Sequence, residues 1–349
     1  MQQKISGIIE NQTEKKHWYQ HRLMNWSIKL LVLVLLAWTI YQQVFAKENA
    51  AEIWLAFRVH FHTANLHWLV LNFLLIPVNW ALEALKWQQL IRSFSQYQFW
   101  RIFQAILAGV TVGIFTPNRV GEYGGRVLLV EPEHNWKAVV TTMVGSFAQL
   151  LVLLSFGLIG LIYFAHTYLA LQQVILYLLF FLGFSLIALM LFCFYNIDLL
   201  VPLAKRIPYV HLFKKYLVHL RVLMNYEAKA LSIALVYSVL RYLTYSTQYY
   251  LMLRFFGIAI DPLTAYAGIG TIYLIQSSIP LPPLIDLLAR GEVALFVWGQ
   301  FSSDEIAILG STFTLFIFNL IVPAIIGAIF ILRINVLKSL GYDNVKPKA

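Results

Sequence analysis

The sequence has little charge for its length. Only 12% of its 349 residues are charged and 60% are hydrophobic, with a mean hydropathy of +0.70. A soluble domain carries about 25% charged and about 45–50% apolar residues. Half the usual charge cannot cover a soluble surface, so the composition excludes a disordered chain, a coiled coil, a collagen and a secreted disulfide scaffold. It indicates a polytopic membrane protein.

Cysteine and the common catalytic motifs are also scarce. Cys193 is the single cysteine and lies in an apolar run, so it has no disulfide partner and too few neighbours for a thiolate metal site. No G-x-x-x-x-G-K-[ST], H-E-x-x-H or G-x-S-x-G pattern occurs, which counts against ATP-driven pumping and the common intramembrane hydrolases. We therefore predict no metal and no cofactor.

Acidic residues are scarcer than basic ones, and the net charge is +10. In a soluble chain this balance could indicate nucleic-acid binding, but in a membrane protein it is typical of basic cytoplasmic loops. Segments 1–29, 86–137, 198–229 and 333–349 hold 21 of the 26 Lys and Arg residues. Placing them in the cytoplasm predicts a multi-pass protein of the inner cell membrane with both termini cytoplasmic and no nucleic-acid partner.

Long apolar runs are what the sequence does contain. A helix needs about 20 apolar residues to cross a bilayer, and six segments qualify: 26–46, 66–90, 138–165, 173–197, 230–256 and 306–332. They predict an integral membrane domain, 26–335, between a basic tail, 1–25, and a second cytoplasmic tail, 336–349. The basic connection 198–229 has apolar residues between its charges, which predicts an amphipathic helix on the membrane surface.

Two further apolar segments, 102–115 and 263–279, are too short for a comfortable span and end near prolines. The loop charges agree with the positive-inside rule only if each segment enters and returns on its own side, the first from the cytoplasm and the second from outside. We therefore predict an all-α bundle of about six full spans plus two re-entrant helical hairpins. The same order then recurs inverted in 26–165 and 173–335, as in many transporters.

Polar and charged residues lie within these apolar segments and hairpins. A charge near the bilayer centre costs about 2.5–3.5 kcal/mol, and such residues usually face a cavity or a partner. Two interpretations stay open: ion pairs that lock helices together, or a polar cavity that accepts a charged headgroup. The candidates are Asn79, Glu83, Lys86, Arg119, Gly121, Glu122, Arg126, Arg241, Arg290 and Glu292.

The first short segment ends in a distinctive motif. Pro117 is followed by Arg119, Gly121-Glu122 and then Arg126. Glycine lets a backbone approach a ligand closely, and arginine presents a planar fork that matches phosphate oxygens. This run resembles the signature of the lysylphosphatidylglycerol synthase transmembrane-region family, also called flippase-like domain proteins.

Two other patterns are similar to the same family. Asn79 followed by Glu83 and Lys86 resembles its second-helix pattern. Pro283 followed by Arg290-Gly291-Glu292 resembles its second motif, although residues 284–288 lack the glycines of that motif and Gly291 separates the arginine from the glutamate. The resemblance covers nearly the whole chain.

The resemblance implies a protein that moves or handles phospholipids or polyprenyl-phosphate lipids. On this hypothesis Arg119 and Arg126 pair with the lipid phosphate, and Gly121 leaves room for it. Glu122 holds the arginines or takes up a proton, while Arg290 and Glu292 form the opposite gate. The supporting polar residues within the membrane are Asn79, Glu83, Lys86 and Arg241.

Other functions fit the same residues. A membrane-embedded enzyme could use Glu122 or Glu292 as a base on a lipid headgroup, and an accessory subunit or scaffold could bind a separately encoded lipid synthase. Some members of the family carry a soluble aminoacyl-transferase domain as well. The chain ends 17 residues after Leu332, so we do not expect that synthase activity here.

Overall fold

Every regular element that the structure describes is a helix, so the all-α prediction is confirmed. This computed structural model describes residues 23–42, 50–61, 65–169, 171–199, 201–202, 218–278 and 283–342. The α-helices are α1 (Leu23–Ile40), α2 (Ala50–Phe61), α3 (Leu66–Ile91), α4 (Phe99–Gly113), α5 (Gly121–Val127), α6 (Asn135–Tyr168), α7 (Gln173–Tyr195), α8 (Ala228–Phe255), α9 (Pro262–Ser278), α10 (Pro283–Trp298), α11 (Glu305–Phe316), α12 (Val322–Arg333) and α13 (Val336–Ser339).

Within the described residues, five helical stretches are long and apolar enough to cross a membrane. They are Leu23–Ile40, Leu66–Ile91, Pro132–Tyr168, Gln173–Tyr195 and Glu305–Arg333. The sixth predicted span is α8, whose 28 residues extend roughly 42 Å. Helix α8 is long enough to cross, but it is less apolar than the others because it carries Arg241 and Gln248 among its apolar residues. The helices agree with the predicted polytopic bundle.

The last span contains a π-helical segment, Ile317–Ile321, between α11 and α12. Pro323 follows in the first turn of α12 and has no backbone N–H, so this part of the span loses one helical hydrogen-bond donor. Single π-turns are frequent at functional sites. Here the segment contains Asn319, a polar residue in an otherwise apolar stretch.

Helices α4 and α5 form a tight antiparallel hairpin. A Cβ on Gly125 would lie 2.6 Å from the Ala108 carbonyl oxygen, and one on Gly121 would lie 2.3 Å from the Val112 carbonyl oxygen. Only glycine allows this approach of the two backbones. Thr116 closes the turn by accepting a hydrogen bond of 2.8 Å from the Gly121 N–H. At roughly 23 and 11 Å, both helices are shorter than the hydrocarbon core of about 30 Å.

Helices α9 and α10 form a second antiparallel hairpin. A Cβ on Gly268 would lie 2.7 Å from the ring of Trp298, near the open end of the hairpin. Arg290 donates a hydrogen bond of 3.1 Å to Gln276 Oε1 near its tip. The two helices have 17 and 16 residues, or roughly 25 Å each. They are also shorter than the hydrocarbon core.

The first hairpin opens at the end of the bundle where α1 begins and α12 ends. The Val336 N–H donates to Asn25 Oδ1 at 2.8 Å, and Asn135 at the start of α6 donates to the Ser339 carbonyl oxygen at 2.9 Å. Arg101 in α4 donates to the Leu129 carbonyl oxygen just after α5. The start of α1, both ends of the first hairpin and the end of α12 therefore lie together.

The second hairpin opens at the other end. The ring of Phe301, which follows α10, lies 4.9 Å from the ring of Tyr168 at the end of α6. At the same end, His60 of α2 lies 5.6 Å from Phe256, which follows α8. The two hairpins thus enter the bundle from opposite ends.

Helices of the first half of the chain pack against helices of the second half. Helix α3 packs along α8, α4 packs on α12, and α9 packs on α6. Glycines make both of the latter contacts close. A Cβ on Gly327 would lie 2.0 Å from the Leu107 carbonyl oxygen, and one on Gly160 would lie 2.5 Å from the Ala267 carbonyl oxygen. Each hairpin is therefore held by the last span of the other half.

Parts of three predicted segments fall outside the described residues. These are 1–22 of the first tail, 203–217 of the basic connection and 343–349 of the second tail. The described end of the connection, Val218–Asn225, is a 3-10 helix. The amphipathic helix of 198–229 stays a prediction.

Candidate functional site

Glu83 of α3 is the centre of a buried ion-pair cluster. Its Oε2 lies 2.7 Å from Lys86 Nζ and 2.9 Å from Arg241 Nη1, and its Oε1 lies 2.9 Å from Arg126 Nη2. Lys86 is on the same face of α3 because residues three apart are neighbours on a helix. Arg126 comes from α5 and Arg241 from α8. One carboxylate therefore serves three cations from three helices.

Glu122 of α5 supplies the second carboxylate. Its Oε2 lies 3.1 Å from Arg126 Nη2 and its Oε1 lies 3.7 Å from Arg119 Nη1. Among the described side chains of this cluster, four cations are thus set against two carboxylates. The cluster is positive.

Arg126 has the most constrained environment of the four cations. Its residue is only 3% exposed, and its guanidinium lies 5.8 Å from the ring centre of Trp87. Its Nε and Nη1 have no hydrogen-bond partner in the described part of the protein. A buried charged donor without a partner is costly. Arg126 therefore has hydrogen-bond donors beyond the one that contacts its two carboxylate partners.

The hairpin turn holds two non-glycine residues in the left-handed region. Asn118 has φ 48° and Arg119 has φ 56°. Asparagine adopts this region more readily than most residues, whereas for arginine it costs about 1–2 kcal/mol. Such strain is concentrated at functional sites. The turn holds Arg119 beside Glu122, at the edge of the cluster.

Two glycines of α4 create the space for the charged side chains of α5. A Cβ on Gly113 would lie 2.6 Å from Glu122 Cγ, and one on Gly109 would lie 2.8 Å from Arg126 Cγ. Gly109 and Gly113 are not among the residues predicted from the sequence. Their spacing of four residues, which places both on one helix face, is the signal that could have found them.

The cluster lines a first cavity of about 220 Å³. A second cavity of about 250 Å³ adjoins it. Arg119, Gln149 and Arg241 line both cavities. The first cavity contains the carboxylates of Glu83 and Glu122, whereas the described lining of the second contains none. The two cavities form one polar region in the middle of the bundle.

The second cavity is lined by residues of both hairpins. Arg119 comes from the first hairpin, and Gln276 and Arg290 come from the second. Asn79 joins them and accepts a hydrogen bond of 3.2 Å from Arg241 Nε. Other polar lining residues were not identified by sequence, because uncharged amides and tyrosines among apolar residues give no charge signal. They are Gln149, Tyr245, Tyr249, Tyr273, Gln276, Thr312 and Asn319.

The structure brings most of the sequence-predicted residues together. Seven of them contact one another directly: Asn79, Glu83, Lys86, Arg119, Glu122, Arg126 and Arg241. Arg290 joins them across the second cavity. Gly121 packs against the α4 backbone, and Glu292 lies exposed on α10.

Comparison with known proteins gives one match. The family model for the lysylphosphatidylglycerol synthase TM region matches residues 26–327, nearly the whole chain. No curated protein and no solved structure matches this chain. Together with the apolar spans, the match makes this a multi-pass integral membrane protein of a family connected with lipid metabolism or transport.

Proposed function

The chain belongs to the lysylphosphatidylglycerol synthase transmembrane-region family, and from that premise we propose that it is a flippase-like protein. In this proposal it binds an anionic phospholipid or a polyprenyl-phosphate-type lipid by its phosphate and moves that lipid across the membrane. The protein lies in the inner cell membrane with both termini in the cytoplasm.

The main support for the proposed phosphate site is the environment of Arg126. Its guanidinium is buried, two of its nitrogens have no hydrogen-bond partner among the described residues, and it lines the first cavity. A phosphate oxygen there would satisfy those donors with charge-assisted hydrogen bonds. Arg119, at the mouth of the turn, would contact the same phosphate. The excess of cations over carboxylates in the cluster supports an anionic ligand.

Translocation is supported by the arrangement of the hairpins. Each is shorter than the hydrocarbon core, they open at opposite ends of the bundle, and residues of both line one cavity. We propose that both are re-entrant and that the two halves form an inverted repeat. The exchanged packing of α4 on α12 and of α9 on α6 supports this repeat. In such transporters, interrupted segments at the repeat interface bind the substrate.

The proposed opposite gate depends mainly on Arg290. This residue lines the second cavity, whereas Glu292 lies exposed on α10. Residues two positions apart on a helix do not lie on the same face. In the proposal Arg290 receives the phosphate as it leaves the first hairpin.

The experiment compares Arg119→Ala, Arg126→Gln and Glu122→Gln with the wild type in two assays. Phosphatidylglycerol binding is measured by native mass spectrometry, and movement of a fluorescent analogue by quencher access in proteoliposomes. Because a charge-assisted contact contributes about 1.5–3 kcal/mol, each arginine variant should bind roughly tenfold to more than a hundredfold more weakly. Glu122→Gln should fold and bind at least as tightly, because the lipid phosphate replaces the lost carboxylate.

Arg92→Gln is the matched control, since Arg92 is exposed and lies outside both cavities. It removes the same charge and should change neither assay. Unchanged binding in both arginine variants would end the proposal of a phosphate site. A wild type that binds the lipid but moves none would instead favour the accessory-subunit alternative.

A further inference from the structure

A third cavity lies at the end of the bundle where the first hairpin opens. Its volume is about 630 Å³, and it shares no described lining residue with the two cavities of the candidate site. Three segments contribute to its lining: the start of α4, residues 128–132 after α5, and residues within 334–339 after α12. The third cavity therefore lies between the first hairpin and the end of the last span.

Two cations and one carboxylate are among the described residues that line the third cavity. Arg101 comes from α4 and Lys338 from α13, whereas Glu131 follows α5. The Glu131 carboxylate already has partners, because its Oε1 lies 3.0 Å from Arg101 Nη1 and its Oε2 accepts a hydrogen bond from the Tyr97 hydroxyl. Lys338 is exposed and makes no ion pair with any described residue. The charged groups of this lining thus favour an anion.

Arg101 is held in one orientation at the wall of the third cavity. Its Nε donates a hydrogen bond of 2.8 Å to the Leu129 carbonyl oxygen, and its guanidinium lies 5.0 Å from the ring centre of Tyr97. The contact with Glu131 is the third restraint, yet the side chain stays 46% exposed. A guanidinium matches phosphate oxygens through its planar fork. Because Arg101 is already fixed, it loses little further side-chain freedom when a ligand binds.

The surface next to the third cavity is apolar. Trp100 lines the cavity and is more than half exposed, and its ring centre lies 6.2 Å from that of Phe330 in α12. Ile326 and Ile329, in the same part of α12, are exposed as well. Because α4 packs on α12, the two helices present apolar side chains to the membrane beside a positively charged cavity.

This combination fits an amphiphilic anion better than a soluble one. Tryptophan is enriched where the apolar part of a membrane meets water, so Trp100 places the third cavity at headgroup level. Basic pockets between spans at that level bind anionic lipid headgroups. A soluble anion would contact only the cavity, whereas a phospholipid would also cover the apolar side chains of α4 and α12.

We infer that the third cavity binds the headgroup of a second anionic phospholipid, with its phosphate between Arg101 and Lys338 and its acyl chains along α4 and α12. This lipid is distinct from the one that is moved across the membrane in the proposed function, because the two sites share no described lining residue. Its two cations belong to the first hairpin and to the segment after the last span. The bound lipid therefore stabilises the contact between these two elements.

A lipid titration of the full chain in detergent, followed by native mass spectrometry, tests this site. The probes are phosphatidylglycerol and phosphatidylcholine, whose choline places a positive charge beside the phosphate. The wild type should bind two phosphatidylglycerol molecules more tightly than phosphatidylcholine. Lys338→Gln should weaken one of these two binding events about tenfold, as expected for the loss of one charge-assisted contact. Lys338→Arg keeps the charge and should keep both events.

Two comparisons make the result specific. Lys229→Gln is the matched control, because Lys229 is an exposed lysine in the first turn of α8 and lines none of the three cavities. It should leave both binding events unchanged. Glycerophosphoglycerol, the same headgroup without acyl chains, should displace little phosphatidylglycerol from this site at a hundredfold excess, because it lacks the apolar contacts.

Arg126→Gln separates this site from the phosphate site of the proposed function. It should weaken the other binding event, and the double variant with Lys338→Gln should weaken both. Phosphatidylglycerol should still raise the melting temperature of Arg126→Gln, because a ligand that binds the folded state stabilises it. It should raise that of the double variant much less.

Four outcomes overturn the inference: Lys338→Gln binds both lipids as the wild type does, Lys338→Arg binds as weakly as Lys338→Gln, phosphatidylcholine binds this site equally well, or the headgroup alone displaces the lipid. The last outcome would show a site for a soluble anion. If Lys338→Gln weakens one event and Arg126→Gln weakens none, this inference stands and the phosphate site of the proposed function fails.

Discussion

The two hairpins present arginine in different surroundings. In the first hairpin, Arg126 contacts two carboxylates, Glu83 and Glu122. In the second, Arg290 donates to the neutral amide of Gln276. The two helices of the first hairpin also pack through glycines, and their backbones approach more closely than a residue with a Cβ allows.

This difference teaches which motif residues also have a structural role. A carboxylate shared by three cations, two of them buried, cannot be removed without leaving those cations less compensated, whatever else they bind. An arginine on a neutral amide has no such constraint from that contact. We therefore expect changes in the first hairpin to affect both stability and binding.

The largest expected effect concerns the side of the membrane from which each hairpin enters, because a given position is either accessible from that side or not. In a Cys193→Ser background, cysteines at Trp100 and Trp136 should react from the cytoplasmic side, and cysteines at Leu263 and Gln300 from the outside. All four positions are exposed. Labelling with a membrane-impermeant thiol reagent, on intact and on permeabilised cells, measures the side from which each cysteine is accessible. Opposite sides within either pair would show a full span and remove the inverted repeat.

A second prediction concerns the centre of the ion-pair cluster. Glu83→Gln leaves Lys86, Arg126 and Arg241 without their shared carboxylate, so it should destabilise the protein by about 3–5 kcal/mol. Glu122→Gln should cost less, because Glu122 is more exposed than Glu83 and Arg126 keeps Glu83. Thermal unfolding in detergent compares the two. Equal losses of stability would contradict the central place of Glu83.

The smallest expected effect is a difference in stability between variants of two adjacent glycines in the first hairpin. Gly125→Ala places a Cβ 2.6 Å from the Ala108 carbonyl oxygen and should cost about 1–3 kcal/mol. Gly124→Ala meets nothing within 4 Å and should leave the free energy of unfolding unchanged or raise it by about 0.4–1 kcal/mol. The same thermal assay measures both variants. If Gly124→Ala destabilised as much as Gly125→Ala, close packing of α4 on α5 would not be the cause.

Much of the fold was predictable from sequence, because it depends on local runs of residues. Five of the six predicted spans coincide with long apolar helices, and the sixth is the more polar α8. The region of the predicted first hairpin forms two short helices joined by a turn. They are α4 over Phe99–Gly113 and α5 over Gly121–Val127. Charged candidates such as Glu83 and Arg126 were visible as well, because charge is rare in an apolar run.

The uncharged polar residues of the site were not predictable from the sequence. Gln149, Gln276 and Asn319 look like ordinary polar residues of membrane helices until the fold places them around one cavity. Gly109 and Gly113 are likewise ordinary in sequence and gain a role only when α5 lies on α4. The amides have no local signature, and the four-residue spacing of the two glycines does not show which helix packs against them.

The sequence by itself determined where helices form and which residues are too polar for lipid. A backbone in hydrocarbon must satisfy its own hydrogen bonds, so an apolar run of sufficient length becomes a helix whatever its neighbours are. Only the tertiary structure decided which charges meet. Glu83 and Arg241 lie on different helices, far apart in the chain, and their 2.9 Å contact depends on the packing of α3 along α8. Pairing over such a distance depends on how helix surfaces fit together, which no local pattern in the chain records.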